Sequence, residues 1–146
     1  MKLIAHRGNI SGKQPDNENK PSYINDALDK GYDAEVDVWF ENNKFYLGHD
    51  NPTYEIKPNF LMNEGLWCHA KNVEALAAMR TIRGIHYFWH ETDDYTLTSN
   101  GFVWVYPNKE LCINSICVMP EQGYTGDINN CYGICSDELT NMKIIL

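Results

Sequence analysis

Between Leu3 and Gly84 short apolar runs alternate with helix-patterned stretches, and nothing else in the sequence constrains the fold so strongly. Leu3-Ile4-Ala5 reads as a buried strand ending at His6. Residues 8–19, rich in Gly, Asn, Ser, Pro and Asp, read as a loop. A helix follows, with Asn19 as its cap, Pro21 in its first turn, a stripe of Ile24, Ala27 and Leu28, and Gly31 as its stop. Ala34 to Phe40 is the next strand, Phe45-Tyr46-Leu47 a brief extended run, and residues 51–63 a surface loop. Leu66 to Ala70 is a strand closed by Lys71. Asn72 caps a second helix, with Val73, Leu76, Ala77 and Met79 facing inward and Gly84 as its stop.

Beyond Gly84 the rhythm changes. Ile85 to His90, Phe102 to Tyr106, Ile116 to Met119 and Tyr132 to Cys135 are aromatic and β-branched runs that read as strands, joined by polar, turn-rich segments. The weakest pattern is a last short helix over Asp137 to Met142. Strand–helix alternation in the first half argues for parallel βα units. A full (β/α)₈ barrel takes about 250 residues, and this chain has 146. The expected architecture is therefore one domain over residues 1–146, a compact TIM-like (β/α) barrel with several outer helices shortened or missing. An open α/β sheet is the alternative.

The formal charge of −8 lacks the basic stripe of a nucleic-acid binder, so no nucleic-acid partner is expected. It suits carboxylates gathered around a divalent cation. No stretch approaches membrane-span length, and the apolar run at the N-terminus is too short for a signal peptide, so no integral membrane segment and a cytoplasmic location are expected. The five cysteines include no C-x-x-C pair and read as reduced and mostly buried. A Cys131–Cys135 or Cys112–Cys117 disulfide stays open for an exported protein, and a zinc site is the least supported option. The Asn9-Ile10-Ser11 sequon falls in the candidate active-site loop, an unfavourable place for a glycan.

Polar groups end several of the apolar runs. Glu35 and Asp37, at i and i+2 of one strand, project from the same face. Two carboxylates that close repel unless a cation or protons compensate, and a hard divalent ion, Mg²⁺ or Ca²⁺, is the natural partner for oxygen ligands. The bland reading of such a pair is a solvated strand face; the apolar strand around it favours the metal. His6 and His49 each close an apolar run and are the candidate acid and base, because imidazole titrates near neutrality. Arg7 offers a forked donor to a phosphate and Lys71 a second positive charge. Glu18 and Asn19 have two open roles, helix capping or substrate contact. The aromatic block around Phe88, with Trp104 and Tyr106, reads as core and pocket wall.

The order His6-Arg7-Gly8, Glu18-Asn19, Glu35-Val36-Asp37 and His49-Asp50 resembles the N-terminal signature of the glycerophosphodiester phosphodiesterase family. Cys68-His69-Ala70-Lys71 falls where that family usually carries an acidic residue, one spacer and a lysine. Gly133 to Asp137 is similar to its closing strand. The resemblance implies a metal-dependent phosphodiesterase acting on a small or lipid-derived glycerophosphodiester. His6 and His49 would be its proton carriers, Arg7, Lys71, Glu18 and Asn19 its substrate contacts, and Glu35, Asp37 and His69 its ligands for Mg²⁺ or Ca²⁺. The family's route often runs through a cyclic phosphate, so a cyclising lyase is a same-fold variant. The alternative from another class is a catalytically weak module that binds a phosphorylated ligand. His69, in place of a third carboxylate, leaves the metal site one negative charge short.

Overall fold

A computed structural model of the protein describes residues 1–145. In chain order its elements are β1 (Lys2–His6), α1 (Pro21–Asp29), β2 (Asp33–Glu41), β3 (Lys44–Leu47), β4 (Tyr54–Ile56), β5 (Leu66–Ala70), α2 (Val73–Arg80), β6 (Tyr87–Trp89), β7 (Tyr95–Leu97), β8 (Val103–Val105), β9 (Ser115–Val118), β10 (Gly133–Ser136) and α3 (Leu139–Ile145). All ten strands belong to one sheet. Parallel pairing runs β6-β5-β2-β1-β10-β9-β8, while β3, β4 and β7 are attached by antiparallel pairs.

The expected TIM-like (β/α) barrel is not what forms. The described residues make a curled mixed sheet, a half-barrel, with three short helices. A barrel of that type needs helix and strand to alternate throughout, whereas here only the β1–β2 and β5–β6 connections carry an α-helix. Later connections are a hairpin, 3₁₀ turns over Pro120–Gln122 and Ile128–Asn130, and irregular segments. The physical reason is length: the polar segments after residue 90 are too short and too turn-rich to sustain helices that would cover the sheet.

The two helices that were legible keep most of their signals. Pro21 fits the first turn of α1, where its missing N–H costs nothing, and Ile24 and Ala27 are buried. The cap differs from expectation, because Lys20 occupies that position without a side-chain bond. Asn72 does cap α2, its side-chain oxygen accepting the Ala75 N–H at 3.0 Å. That helix buries Ala75 and Met79, but Val73 points to solvent and the helix ends at Arg80, before Gly84. Residues 51–63 hold β4 and a 3₁₀ turn over Pro58–Met62 rather than an unbroken loop.

Strand alternation divides the interior into two layers. Ala34, Val36 and Val38 of β2 face outward into the core formed with Ile24, Ala27, Ala75 and Met79. On the inner face Ile4, Trp67, Phe88, Trp104, Ile116 and Cys135 pack together. Two residues further along their strands, toward the carboxyl ends, stand His6, His69, His90, Tyr106, Val118 and Asp137. Apolar floor and polar rim are thus successive same-face positions of one set of strands.

Candidate active site

Register explains how distant residues meet. His6 of β1 lies opposite Glu35 of β2, and Asp37 lies opposite His69 of β5. At Val38 one edge of β2 is taken by Ala70 of β5 and the other by Leu47 of β3. The β3 strand therefore occupies the β1-side edge just beyond the end of β1, and the His49 that follows it lines the same cavity as His6. The Gly48 N–H bonds to the Asp37 carbonyl at 3.1 Å, and its own carbonyl accepts the Trp39 indole N–H at 2.6 Å. A Cβ on Gly48 would run into the Asn51 carbonyl oxygen, so this corner excludes any larger residue. Gly8, at φ 90°, has the ring of Tyr23 where a Cβ would go, 2.7 Å away.

Glu35 and Asp37 are buried, and each has one oxygen held by protein donors. Glu35 Oε2 accepts the Arg7 backbone N–H at 3.2 Å; Asp37 Oδ2 accepts from Asn19 Nδ2 at 2.9 Å. Their other oxygens face His69: Nδ1 is 3.6 Å from Glu35 Oε1 and 3.2 Å from Asp37 Oδ1. The three residues offer donor atoms within 4.8 Å of one another. His69 Nε2 gives its hydrogen to the His90 carbonyl oxygen at 2.8 Å, which leaves Nδ1 as the lone-pair nitrogen of the neutral ring. An ion about 2.1 Å from each donor needs donor pairs about 3.0–3.5 Å apart; the two His69 pairs lie near that spacing, and the three residues could hold a divalent cation.

With no metal in place the same geometry favours a proton. Burial opposes an imidazolium at His69, but hydrogen bonds and charge from Asp37 and Glu35 outweigh it and push its pKa up to about 9. Burial also opposes the Asp37 carboxylate, yet His69, Arg7 and Asn19 together hold its pKa well below the usual range.

The two expected proton carriers differ in setting. His6 Nδ1 is 2.8 Å from Asp137 Oδ1, and Nε2 is 3.9 Å from Glu35 Oε2. Burial disfavours charge on His6, but the Asp137 hydrogen bond and the Glu35 carboxylate prevail and its pKa is raised. His49 is more exposed, with Nδ1 2.8 Å from Asp50 Oδ1, and its Nε2 makes no hydrogen bond or ion pair with any described residue. Both rings line one cavity of about 270 Å³, shared with Glu35, His69 and Lys71.

No protein-family model, curated protein or solved structure matches this chain.

Arg7 occupies a different place from a free phosphate clamp. Its Nη1 donates to Glu18 Oε2 at 3.2 Å, and Nε lies 3.1 Å from Asp37 Oδ2 without the alignment of a hydrogen bond. Glu18 also accepts from Asn9 Nδ2 at 2.8 Å, so it orients neighbours and does not cap α1. Asn19, at φ 63°, forms a closed pair with Asp37, donating to its carboxylate and accepting its backbone N–H at 2.9 Å.

Sequence reasoning missed three supports. Asn9 is fully buried and donates to Asp137 at 2.8 Å, which also removes its sequon from use in the folded chain. Asp137 braces His6, and Glu121 accepts the Asp137 backbone N–H at 3.0 Å. Asp137 was findable, since it stands two residues past the inward-facing Cys135; Asn9 and Glu121 carry no pattern. The described residues include no helix long and apolar enough to cross a membrane.

Proposed function

We propose that this chain is a metal-assisted phosphodiesterase of the glycerophosphodiester type, working by general acid/base catalysis with His6 and His49. The observation that carries the reading is the convergence of His6, His49, Glu35, His69 and Lys71 on one cavity at the carboxyl ends of the parallel strands.

Each residue has a definable task. A divalent cation, held by Glu35, Asp37 and His69, would neutralise charge on the phosphate oxygens. His6, whose charged form Asp137 and Glu35 favour against burial, supplies a proton to the departing oxygen. His49, with Nε2 unengaged, accepts one from the attacking hydroxyl. That hydroxyl is water, or a neighbouring hydroxyl of the substrate, in which case a cyclic phosphate forms first. Lys71 contributes positive charge to the cavity wall. Asp137, Asn19 and Asn9 position the others. The substrate class is a small or lipid-derived glycerophosphodiester, and a cytoplasmic location is part of the same proposal, supported by four buried free thiols.

A second reading, a phosphate-binding module with little turnover, is favoured by one feature: protonated His69 satisfies Glu35 and Asp37 without any metal. Hydrolysis of an aryl phosphodiester with Mg²⁺, Ca²⁺, Mn²⁺ or EDTA separates the two. The enzyme reading expects a metal-dependent rate that drops by about 10²-fold or more in His6→Ala and His49→Ala. A rate indifferent to EDTA and to both substitutions would remove it.

A further inference from the structure

Two cavities meet at this site. The larger, about 450 Å³, has polar walls that include Glu18, Asp50, Asn51 and Thr53. The smaller holds His6, Glu35 and His69 on one side and Trp104, Tyr106 and Met119 among its other walls. Arg7, Lys13 and His49 line both.

A phosphodiester has the same layout, a monoanionic centre between two arms that leave in different directions. Residues common to both cavities mark where that centre can lie within reach of His49 while each arm enters its own cavity. Two of the three shared residues are cations, and they are not equivalent. The Arg7 guanidinium is already flanked by Glu18 at 3.2 Å and Asp37 at 3.1 Å, so most of its charge is balanced by carboxylates. Lys13 is exposed and makes no hydrogen bond or ion pair with any described residue. At longer range its ammonium helps keep the Asp137 carboxylate charged. A compact, mobile ammonium suits an anion that enters from solvent.

We propose that Lys13 is a phosphate-binding cation of this site, acting beside Lys71 of the smaller cavity. The diester bridges the two cavities, its hydroxyl-bearing arm in the larger polar one and its second, apolar or ring-bearing arm against Tyr106 and Met119. This rests on the phosphodiesterase reading, from which it is separable by experiment.

Lys13→Met removes the charge and, at an exposed side chain without partners, leaves the melting temperature unchanged. Inorganic phosphate, titrated by calorimetry in the presence of Mg²⁺, binds the variant about tenfold more weakly than the wild type. The KM of an aryl diester rises by a similar factor while kcat stays within about threefold, and Lys13→Arg restores both. Tyr106→Ala weakens phenyl phosphate more than glycerol phosphate. Phosphate affinity unchanged in Lys13→Met, or no saturable phosphate binding by the wild type, overturns the assignment of Lys13. Equal effects of Tyr106→Ala on both probes overturn the assignment of the arms. If phosphate binding depends on Lys13 but no diester is turned over, the site is a binding module; if turnover is normal and Lys13→Met changes neither parameter, only the role of Lys13 falls.

Discussion

His69 turns Nδ1 toward Asp37 Oδ1 at 3.2 Å and gives its Nε2 hydrogen to the His90 carbonyl at 2.8 Å. The second bond fixes the ring and its tautomer, so this imidazole presents one nitrogen, and only that one, to the two carboxylates. Nitrogen is a poorer donor than carboxylate for Mg²⁺, Ca²⁺ or Mn²⁺ and a better one for Zn²⁺. His69→Glu is therefore expected to tighten Mg²⁺ binding about tenfold while changing Zn²⁺ affinity less. Calorimetric titration of both ions into wild type and variant tests this. Equal Mg²⁺ affinities would mean that His69 is not a ligand.

His6 and Asp137 form the second relationship with a measurable consequence. Asp137→Asn removes the carboxylate that offsets burial, so the His6 pKa should fall. If His6 acts as the acid, activity declines as pH rises through that pKa, and the variant loses activity at a lower pH than the wild type. We expect the rate at neutral pH to drop roughly 10–100-fold. An NMR titration of the His6 ring reads the shift independently of turnover. An unchanged His6 pKa would show that Asp137 does not set it.

How much of this was written in the sequence depends on the range of the interactions. Strands and helices of the first half follow local signals, as with Asn72 before α2 and Pro21 in α1, and were legible. Glu35 and Asp37 share a face because strand periodicity is 2, which is also local. The barrel expectation failed because the number of helices depends on segments after residue 90 that carry no helical pattern. Arg7, read as a phosphate clamp, proved to sit between Glu18 and Asp37, a matter of loop geometry that no periodicity encodes. Asn19 was read as a helix cap from its position, but its backbone is left-handed and its amide is turned toward Asp37.

That amide is worth testing for stability. Asn19 is 1% exposed and satisfies both the carboxylate and the backbone N–H of the buried Asp37. Asn19→Ala leaves that N–H without a partner and puts alanine in a left-handed conformation that asparagine, with its short polar side chain, tolerates better. The two effects together cost about 3 kcal/mol, read as a lower urea midpoint at unchanged m-value. A loss below about 1 kcal/mol would show that water replaces the amide at no great penalty.

His86 makes the fold sensitive to acid by a route separate from the site. Its ring is 7% exposed, packed 4.3 Å from Trp67 between ring centroids, and Nε2 is 2.8 Å from the Thr98 hydroxyl oxygen. Burial pushes its pKa down to about 4, against a weaker pull from Asp33 in the other direction. Above the ordinary value of 6.5 neither folded nor unfolded chain binds this proton, and its contribution to stability is complete. As pH falls from there toward 4 the unfolded chain takes up a proton that the folded chain refuses, and stability declines, by roughly 2–3 kcal/mol in all. His6 and His69 shift the other way. Their pKa values are raised, so their stabilising contribution is complete below 6.5 and lost as pH climbs through the folded values, about 9 for His69. They add no slope in the acid window. Urea unfolding at pH 7 and pH 4.5 should therefore show a loss that His86→Gln, which does not titrate, largely removes. An identical pH dependence in wild type and variant would place the acid sensitivity elsewhere.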